Sequence, residues 1–190
     1  MFRDVLTKEF SPYGTLSGRQ LDAASLHYDL LQQWNARMNL TRIESLEEVV
    51  QLHYCESFYL GTWFSEELAT VVDIGSGPGF PGIPVAIMRP NLRVTLLESN
   101  NRKCVFLRES SRSIPNVNVV HARAEQCKER FDWVISRAVA IPEVIGSRLA
   151  TNFALLVSKR DVPSGWEAHD LPWGSNRVLS VSRENVSRET

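Results

Sequence analysis

The sequence predicts an α/β fold in which a largely parallel sheet carries helices on both faces and follows an N-terminal helical extension. After Ala69, short apolar runs alternate with helical segments, which is the pattern of a parallel sheet. One of these runs leads directly into the glycine-rich turn DIGSGPGFPG at 73–82. Helix-start signals precede it. We therefore predict a helical extension over residues 1–68 and an α/β core over residues 69–190.

The extension contains two capping-box signals, each of which predicts the start of a helix. Ser17 and Gln20 form the first, in which the two side chains bond to each other's backbone amides. The helix that follows shows helical spacing at Leu21, Ala24, Tyr28, Leu31 and Trp34. Ser45 and Glu48 repeat the box and predict a second helix. A connector, WNARMNLTRI, joins the two.

Five strands are predicted in the core, at 71–74, 94–98, 117–121, 133–136 and 153–158. Helices fall between them. Pro84 and Pro142 are expected near helix starts, where a missing amide hydrogen costs little.

The C-terminal end has a different pattern. Two apolar runs, 166–169 and 177–181, flank the turn-rich segment DLPWGSN and predict a hairpin. The final ten residues, VSREN followed by VSRET, repeat a polar unit and are expected to form a mobile tail.

The glycine-rich turn predicts a site for a small ligand. Gly75, Gly77, Gly79 and Gly82 let the backbone turn sharply and lie where a Cβ atom would collide with that ligand. The spacing of the last three also fits a dinucleotide fingerprint, which is weak evidence by itself. Asp73 would repel a pyrophosphate but attract the cationic sulfur and ammonium groups of S-adenosylmethionine. The acid therefore favours the sulfonium cofactor.

Glu98 ends the second predicted strand, about twenty residues after the turn. An acid at that position commonly accepts hydrogen bonds from both ribose hydroxyls, which either adenosine cofactor would supply. The alternative is a strand-end acid that merely caps a helix over residues 101–107.

Composition indicates one compact protein of 190 residues, 43% hydrophobic, with a formal net charge of −1. This charge argues against strong non-specific binding to naked nucleic acid, although local basic patches leave an RNA-binding face open. The first ten residues resemble neither a signal peptide nor a membrane span, so we expect a cytoplasmic protein. Three scattered cysteines without a CxxC pair predict neither disulfides nor metal binding.

Several segments together resemble the RsmG family, also called GidB. They are WNARMNLT (34–41), HYCES (53–57), DIGSGPGFPGIP (73–84), LLES (96–99), FL (106–107), RAE (123–125) and FDWVISRA (131–138). Members of this family are S-adenosylmethionine-dependent methyltransferases that modify guanine N7 in small-subunit (16S) ribosomal RNA. The resemblance implies a Rossmann-like class I methyltransferase sheet, with 16S ribosomal RNA or the small ribosomal subunit as partner.

The resemblance also implies individual site residues. Gly75 and Phe80 are expected to touch the cofactor, with Ala124 and Glu125 near its adenine. Arg137 at the end of the fourth strand is also expected to bind the cofactor. An acid beyond the third strand could accept a hydrogen bond from the adenine amino group. The alternative for Glu125 is an acid that starts a helix.

The chemistry explains why no catalytic dyad is evident. Guanine N7 has an in-plane lone pair and no proton, so the enzyme needs mainly to align N7, the methyl carbon and the sulfur. We expect Arg137 to be the catalytic residue, holding guanine O6 or a phosphate. Arg123, Asn39 and His53 are further candidates for RNA contact. The alternative for His53 is a hydrogen-bonded core histidine, because it lies on the apolar face of its helix.

The sequence departs from the family after the fifth strand. The usual lysine-glycine pair reads Lys159-Arg160, and the helical insertion that normally follows is shortened to DVPSGWEAHD. We expect a monomer without membrane or metal contacts. Two other functions stay open, a non-catalytic ribosome-binding protein that keeps the cofactor fold and an NAD-dependent oxidoreductase.

Overall fold

A seven-stranded sheet forms the centre of the computed structural model, which describes residues 1–183. Its strands are β1 (Thr70–Ile74), β2 (Arg93–Glu98), β3 (Val117–His121), β4 (Trp133–Arg137), β5 (Asn152–Ser158), β6 (Glu167–Asp170) and β7 (Arg177–Ser182). The spatial order is β3-β2-β1-β4-β5-β7-β6. The first five strands run parallel, and β7 is antiparallel to both β5 and β6. The predicted strands and C-terminal hairpin are confirmed.

The polar repeat at the C-terminus is partly structured. Val181 and Ser182 belong to β7, where they pair with β5, so the mobile tail was predicted to begin too early. Residues 184–190 lie outside the described part of the chain.

Seven α-helices accompany the sheet within residues 1–183. They are α1 (Phe2–Phe10), α2 (Gly18–Met38), α3 (Leu46–Val49), α4 (Glu56–Thr62), α5 (Gly82–Met88), α6 (Asn101–Ser110) and α7 (Ile141–Gly146). The Ser17 and Gln20 capping box is present in full. At Ser45 only half of the box forms, with the side chain accepting from the Glu48 amide. Both predicted helix starts are confirmed.

A six-residue π-helical segment, Val50–Cys55, connects α3 to α4 without a break. Such a segment shifts the bonding of the helix by one residue and is frequent at functional sites. It places Leu52 and His53 against the C-terminal end of β4.

The two faces of the sheet are covered unequally. Side chains alternate along a strand, so Val71 and Ile135 face one core while Val72 and Val134 face the other. The first core includes buried residues from α1, α2, α4, α5 and α6, whereas the second is covered by α7 and loops. Helices on both faces are confirmed. The boundary after residue 68 stays a prediction, since the first core runs across it.

An ion pair joins the extension to the far edge of the sheet. Glu56 at the start of α4 accepts two hydrogen bonds from Arg177 at the start of β7, at 2.6 and 2.7 Å. The glutamate is fully buried and the arginine side chain is 30% exposed. These residues lie 121 positions apart, so the pair is a long-range contact between the extension and the edge of the sheet.

In the described residues, every helix is too short or too polar to cross a bilayer.

Candidate cofactor and acceptor site

The glycine-rich turn is tied down at the end of β1. The amides of Gly75 and Ser76 both donate to the carbonyl of Leu97, at 2.9 and 3.3 Å. Gly75 and Gly77 have φ angles of 70° and 55°, which favour glycine because it lacks a Cβ atom. The turn therefore keeps its shape through backbone bonds that are independent of any ligand.

Asp73 lies beneath this turn and is fully buried. Its Oδ2 accepts from the Gly82 amide at 2.9 Å, and its Oδ1 has no partner among the described residues. Burial raises the pKa of Asp73 to about 7. The carboxylate thus braces the turn and acts on a ligand through its field, because the side chain has no exposed surface.

Replacing Gly82 with alanine is expected to lower the free energy of unfolding by about 1–3 kcal/mol. A Cβ atom there would collide with Leu96 Cδ2 and lie 2.7 Å from Asp73 Oδ2, and both of these side chains are buried. Urea unfolding measures the change. Gly18→Ala is the matched control, since its Cβ would meet nothing within 4 Å. Equal stability of the two variants would contradict the packing described here.

Glu98 connects the turn to the segment after β2. Its Oε2 accepts from the Gly77 amide at 2.9 Å and its Oε1 from the Asn100 amide at 2.8 Å. The alternative in which Glu98 caps the next helix is wrong, because the Asn100 side chain caps α6. Each carboxylate oxygen can accept a second hydrogen bond. Ribose contact by Glu98 stays a prediction.

A cavity of about 370 Å³ opens above these groups. It lies at the carboxyl ends of the parallel strands, where the chain order switches between β1 and β4, the usual ligand position in such sheets. It is lined by Ile74, Gly75, Leu97, Ser99, Ala122, Arg123, Ala124, Ala138, Val139, Ala140 and Glu143. Gly75 and Ala124 thus line this cavity, and their contact with a cofactor stays a prediction.

The other predicted ligand contacts vary in position. Arg123 lines the same cavity, and Glu125 is exposed beside Ala124 in a short 3-10 turn. Phe80, in contrast, is 2% exposed and packs its ring on His53 at 4.7 Å. The aromatic ring thus belongs to the core, and cofactor contact by Phe80 stays a prediction. Gly79 is needed for packing, since a Cβ there would lie 2.5 Å from Ile83 Cδ1.

Arg137 ends β4 on the helix-rich face, in the same alternation as Ile135. Its guanidinium donates to the Leu52 carbonyl and to His53 Nδ1, each at 2.6 Å, and lies 5.5 Å from the centre of the Phe80 ring. Burial lowers the pKa of Arg137 to about 10, so the group is protonated at neutral pH. Two of its five N–H donors are engaged in these bonds, and the other three have no acceptor among residues 1–183.

His53 is 5% exposed and lies between Arg137 and Thr41. Burial, together with the charge of Arg137, lowers the pKa of His53 to about 2, so the ring is neutral. His53 is therefore a hydrogen-bonded core histidine, the alternative left open by the sequence, and RNA contact by this residue stays a prediction. The physical reason is that the π-helical segment directs the ring inward, onto Phe80.

Asn39 ends α2 in the left-handed conformation, with φ 50°, and is exposed. It borders a polar cavity of about 740 Å³ formed by the connector and the end of α2. Asn39 is thus free to meet a large partner, and RNA contact by this residue stays a prediction.

Another cavity, of about 730 Å³, shares Ala138, Val139 and Ala140 with the 370 Å³ cavity above the glycine-rich turn. We call the 370 Å³ cavity the first cavity and the 730 Å³ cavity the second cavity. Its walls come from α7, the end of β5 and the following turn, and its charged residues are Asp161 and Arg177. The two cavities adjoin at the end of β4. This arrangement can hold one ligand in each cavity with their reacting ends close together.

Sequence reasoning missed His27 as part of the site. It is fully buried in α2, its Nε2 lies 3.0 Å from the Pro78 carbonyl, and its Nδ1 lies 2.7 Å from the Tyr54 hydroxyl. Because a carbonyl only accepts, Nε2 carries the proton and Tyr54 donates to Nδ1. Its spacing from Ala24 and Leu31 was the available signal, since all three share the buried face of α2.

Within residues 1–183, no three His, Cys, Asp or Glu side chains cluster in a way that could hold a metal ion.

Comparison with protein families identifies the relatives of this site. The model of GidB, described as rRNA small subunit methyltransferase G, matches residues 20–153. The chain belongs to the GidB family. The match includes the connector, the π-helical segment, the glycine-rich turn and the end of β4, so it covers all of the site except the far wall of the second cavity.

Individual relatives agree. The GidB chain is 37% identical over 139 residues to ribosomal RNA small subunit methyltransferase G of Alkaliphilus metalliredigens, covering 68% of this chain and 58% of the relative. The protein of the same name from Lachnoclostridium phytofermentans is 41% identical over 134 residues, covering 66% and 55%. That from Clostridium botulinum strain Eklund 17B is 39% identical over 155 residues, covering 76% and 64%. The chain thus spans less than two thirds of the length of these relatives.

Solved structures support the fold of the GidB chain. A predicted O-methyltransferase from Agrobacterium tumefaciens superposes with a TM-score of 0.55 at 17% identity, covering 66% of this chain and 78% of that one. A SAM-dependent methyltransferase from Aquifex aeolicus gives 0.53 at 12% identity, covering 70% and 92%. The Rossmann-like sheet of class I methyltransferases is therefore confirmed.

Proposed function

We propose that this protein transfers the methyl group of S-adenosylmethionine to guanine N7 of 16S ribosomal RNA, in the free RNA or in the small ribosomal subunit. It acts in the cytoplasm as a monomer. The observation that carries this proposal is the 370 Å³ cavity at the switch point of the sheet, above a glycine turn braced by Asp73 and Glu98. Family membership supports the same reaction.

The residues at the first cavity fit a cationic cofactor. When bound, S-adenosylmethionine supplies an electrophilic methyl group on a positively charged sulfur. Asp73 holds a carboxyl oxygen without a partner in the described chain, and Glu98 lies at the end of the next strand. Negative charge at the turn favours a sulfonium and disfavours the pyrophosphate of a dinucleotide. An oxidoreductase is therefore the weaker alternative.

We assign the acceptor base to the second cavity. Its apolar walls suit the faces of a flipped guanine, and it adjoins the first cavity at Ala138–Ala140. Since N7 bears a lone pair and no proton, the protein contributes alignment, and no side chain has to remove a proton. Arg137 precedes this junction and has three unused N–H donors, with which it would hold guanine O6 or a neighbouring phosphate.

The pKa of Asp73 predicts a pH dependence of cofactor binding. A proton on Asp73 removes its negative charge, so a cation prefers the deprotonated form and its affinity rises as the pH increases through about 7. Calorimetry between pH 6 and 8 should show affinity for S-adenosylmethionine increasing about 3- to 10-fold. S-adenosylhomocysteine has a neutral sulfur and should show a smaller increase. If affinity rose equally with pH for the two ligands, this role of Asp73 would be contradicted. The same holds if Asp73→Asn kept the pH dependence of the wild-type protein.

The function itself is tested by mass spectrometry of 16S ribosomal RNA. Small subunits whose 16S RNA lacks the proposed 7-methylguanosine are incubated with the protein and labelled S-adenosylmethionine. Free 16S RNA is treated in parallel. A single labelled 7-methylguanosine is expected. Subunit binding without label in any nucleotide would instead support the non-catalytic ribosome-binding alternative.

A further inference from the structure

A chain of hydrogen bonds connects the connector to the end of β4. Thr41 Oγ1 lies 2.9 Å from His53 Nε2, and His53 Nδ1 lies 2.6 Å from Arg137 Nη2. Arg137 also donates to the Leu52 carbonyl, and the Ser57 hydroxyl donates to the His53 carbonyl. The histidine is therefore held at its backbone and at both ring nitrogens.

The direction of each bond in this chain is determined by the arginine. A guanidinium only donates, so Nδ1 of His53 accepts and carries no proton. The low pKa of His53 keeps the ring neutral, so its one proton is on Nε2 and is donated to Thr41 Oγ1. The Ile43 amide donates to the same oxygen at 3.1 Å.

Thr41 consequently has one donor left. Its hydroxyl oxygen accepts two hydrogen bonds, and the hydroxyl proton has no acceptor among residues 1–183. Thr41 lines the 740 Å³ connector cavity together with Asn39 and Arg42. A hydroxyl donor, an amide and a guanidinium in one open cavity suit the oxygen atoms of a nucleic acid backbone.

We propose that Thr41 binds a backbone oxygen of the RNA in the connector cavity and, through His53, positions Arg137 for the acceptor base. The proposal rests on the proposed function and adds a second RNA contact on the opposite side of the π-helical segment. Because both roles use one hydroxyl group, RNA bound at the connector and the orientation of Arg137 are linked. Thr41 and His53 are positioning residues in this scheme.

The decisive comparison is Thr41→Val against Thr41→Ser, with methyl transfer measured on small subunits lacking the modification. Valine keeps the shape of threonine but has no hydroxyl, so KM for the subunit is expected to rise and kcat to fall, with kcat/KM reduced roughly 5- to 10-fold. Serine should restore both constants. Thr62→Val is the matched control, because the Thr62 hydroxyl donates to the Tyr59 carbonyl of the same helix, α4, at 2.7 Å.

A second measurement tests the hydrogen-bond chain without activity. Long-range proton–nitrogen spectra should show the Nε2–H form of His53 in the wild-type protein, with a shifted Nε2 signal in Thr41→Val and an unchanged one in Thr62→Val. If the wild-type protein transferred no methyl group, the proposed function would be overturned. The spectrum would still test the hydrogen bonds that connect Thr41, His53 and Arg137. Normal transfer by Thr41→Val, or an Nδ1–H histidine, would overturn the inference.

Discussion

Replacing Glu56 with alanine is expected to lower the free energy of unfolding by about 3–5 kcal/mol. Removal of the carboxylate leaves Arg177 half-buried without its two hydrogen bonds and opens a gap between α4 and β7. The pair is the main polar connection between the helical extension and the C-terminal edge, where the sequence departs from its family. Chemical denaturation followed by far-UV circular dichroism measures the loss.

Glu66→Ala provides the control for this prediction. Glu66 also pairs with an arginine, Arg89, but its side chain is 79% exposed, so its removal should change stability by about 0–1 kcal/mol. Burial raises the pKa of Glu56 despite the opposing effect of Arg177, so the charged form is costly there. The neutral variant Glu56→Gln should therefore lose less than Glu56→Ala. If Glu56→Ala and Glu66→Ala lowered the free energy of unfolding equally, the buried Glu56–Arg177 pair would contribute no more to stability than the exposed Glu66–Arg89 pair.

Replacing Arg137 with lysine should reduce methyl transfer on the order of 100-fold at saturating cofactor. A lysine ammonium is a compact donor on a flexible stem and cannot bond to Leu52 and His53 while holding a ligand in a fixed plane. Affinity for S-adenosylmethionine should change little, because the first cavity is lined by the residues that follow Arg137. Single-turnover rates and calorimetry separate these two effects.

Arg108→Lys serves as the comparison, since Arg108 is an exposed residue of α6. It should transfer methyl groups at the wild-type rate. If Arg137→Lys retained the wild-type rate as well, Arg137 would be a structural residue that joins β4 to the π-helical segment. If it lost cofactor binding and transfer together, its assignment to the acceptor would be wrong.

Local patterns predicted most of the fold. The five parallel strands and the terminal hairpin follow from short apolar runs separated by turn residues, and the capping box follows from the three-residue separation of Ser17 and Gln20. Helix α1 was missed as a separate element, although Phe2, Leu6 and Phe10 repeat every four residues and are buried. The π-helical segment has no comparable local signal, and its contacts with Arg137 and Phe80 join residues far apart in the chain.

The site was predictable in part, for a related reason. Gly75, Ala124 and Arg123 line the cavity because strand ends meet at one edge of a parallel sheet, and strand order follows from the chain. The family resemblance implied a cofactor contact for Phe80, and His53 was left between RNA contact and a core role; the structure packs the two rings against each other in the core. Whether such a side chain lines the cavity or packs in the core depends on the residues that contact it in the folded protein.

For this protein, the sequence by itself determined the α/β class, the glycine-rich turn and the family, because each depends on short motifs of residues close together in the chain. Only the tertiary structure decided that Asp73 braces the turn from below, that His53 holds Arg137 and that Glu56 pairs with Arg177. The last two contacts join residues 84 and 121 positions apart. Such pairs form when burial removes water from polar groups and makes each of them require a partner, wherever in the chain that partner lies.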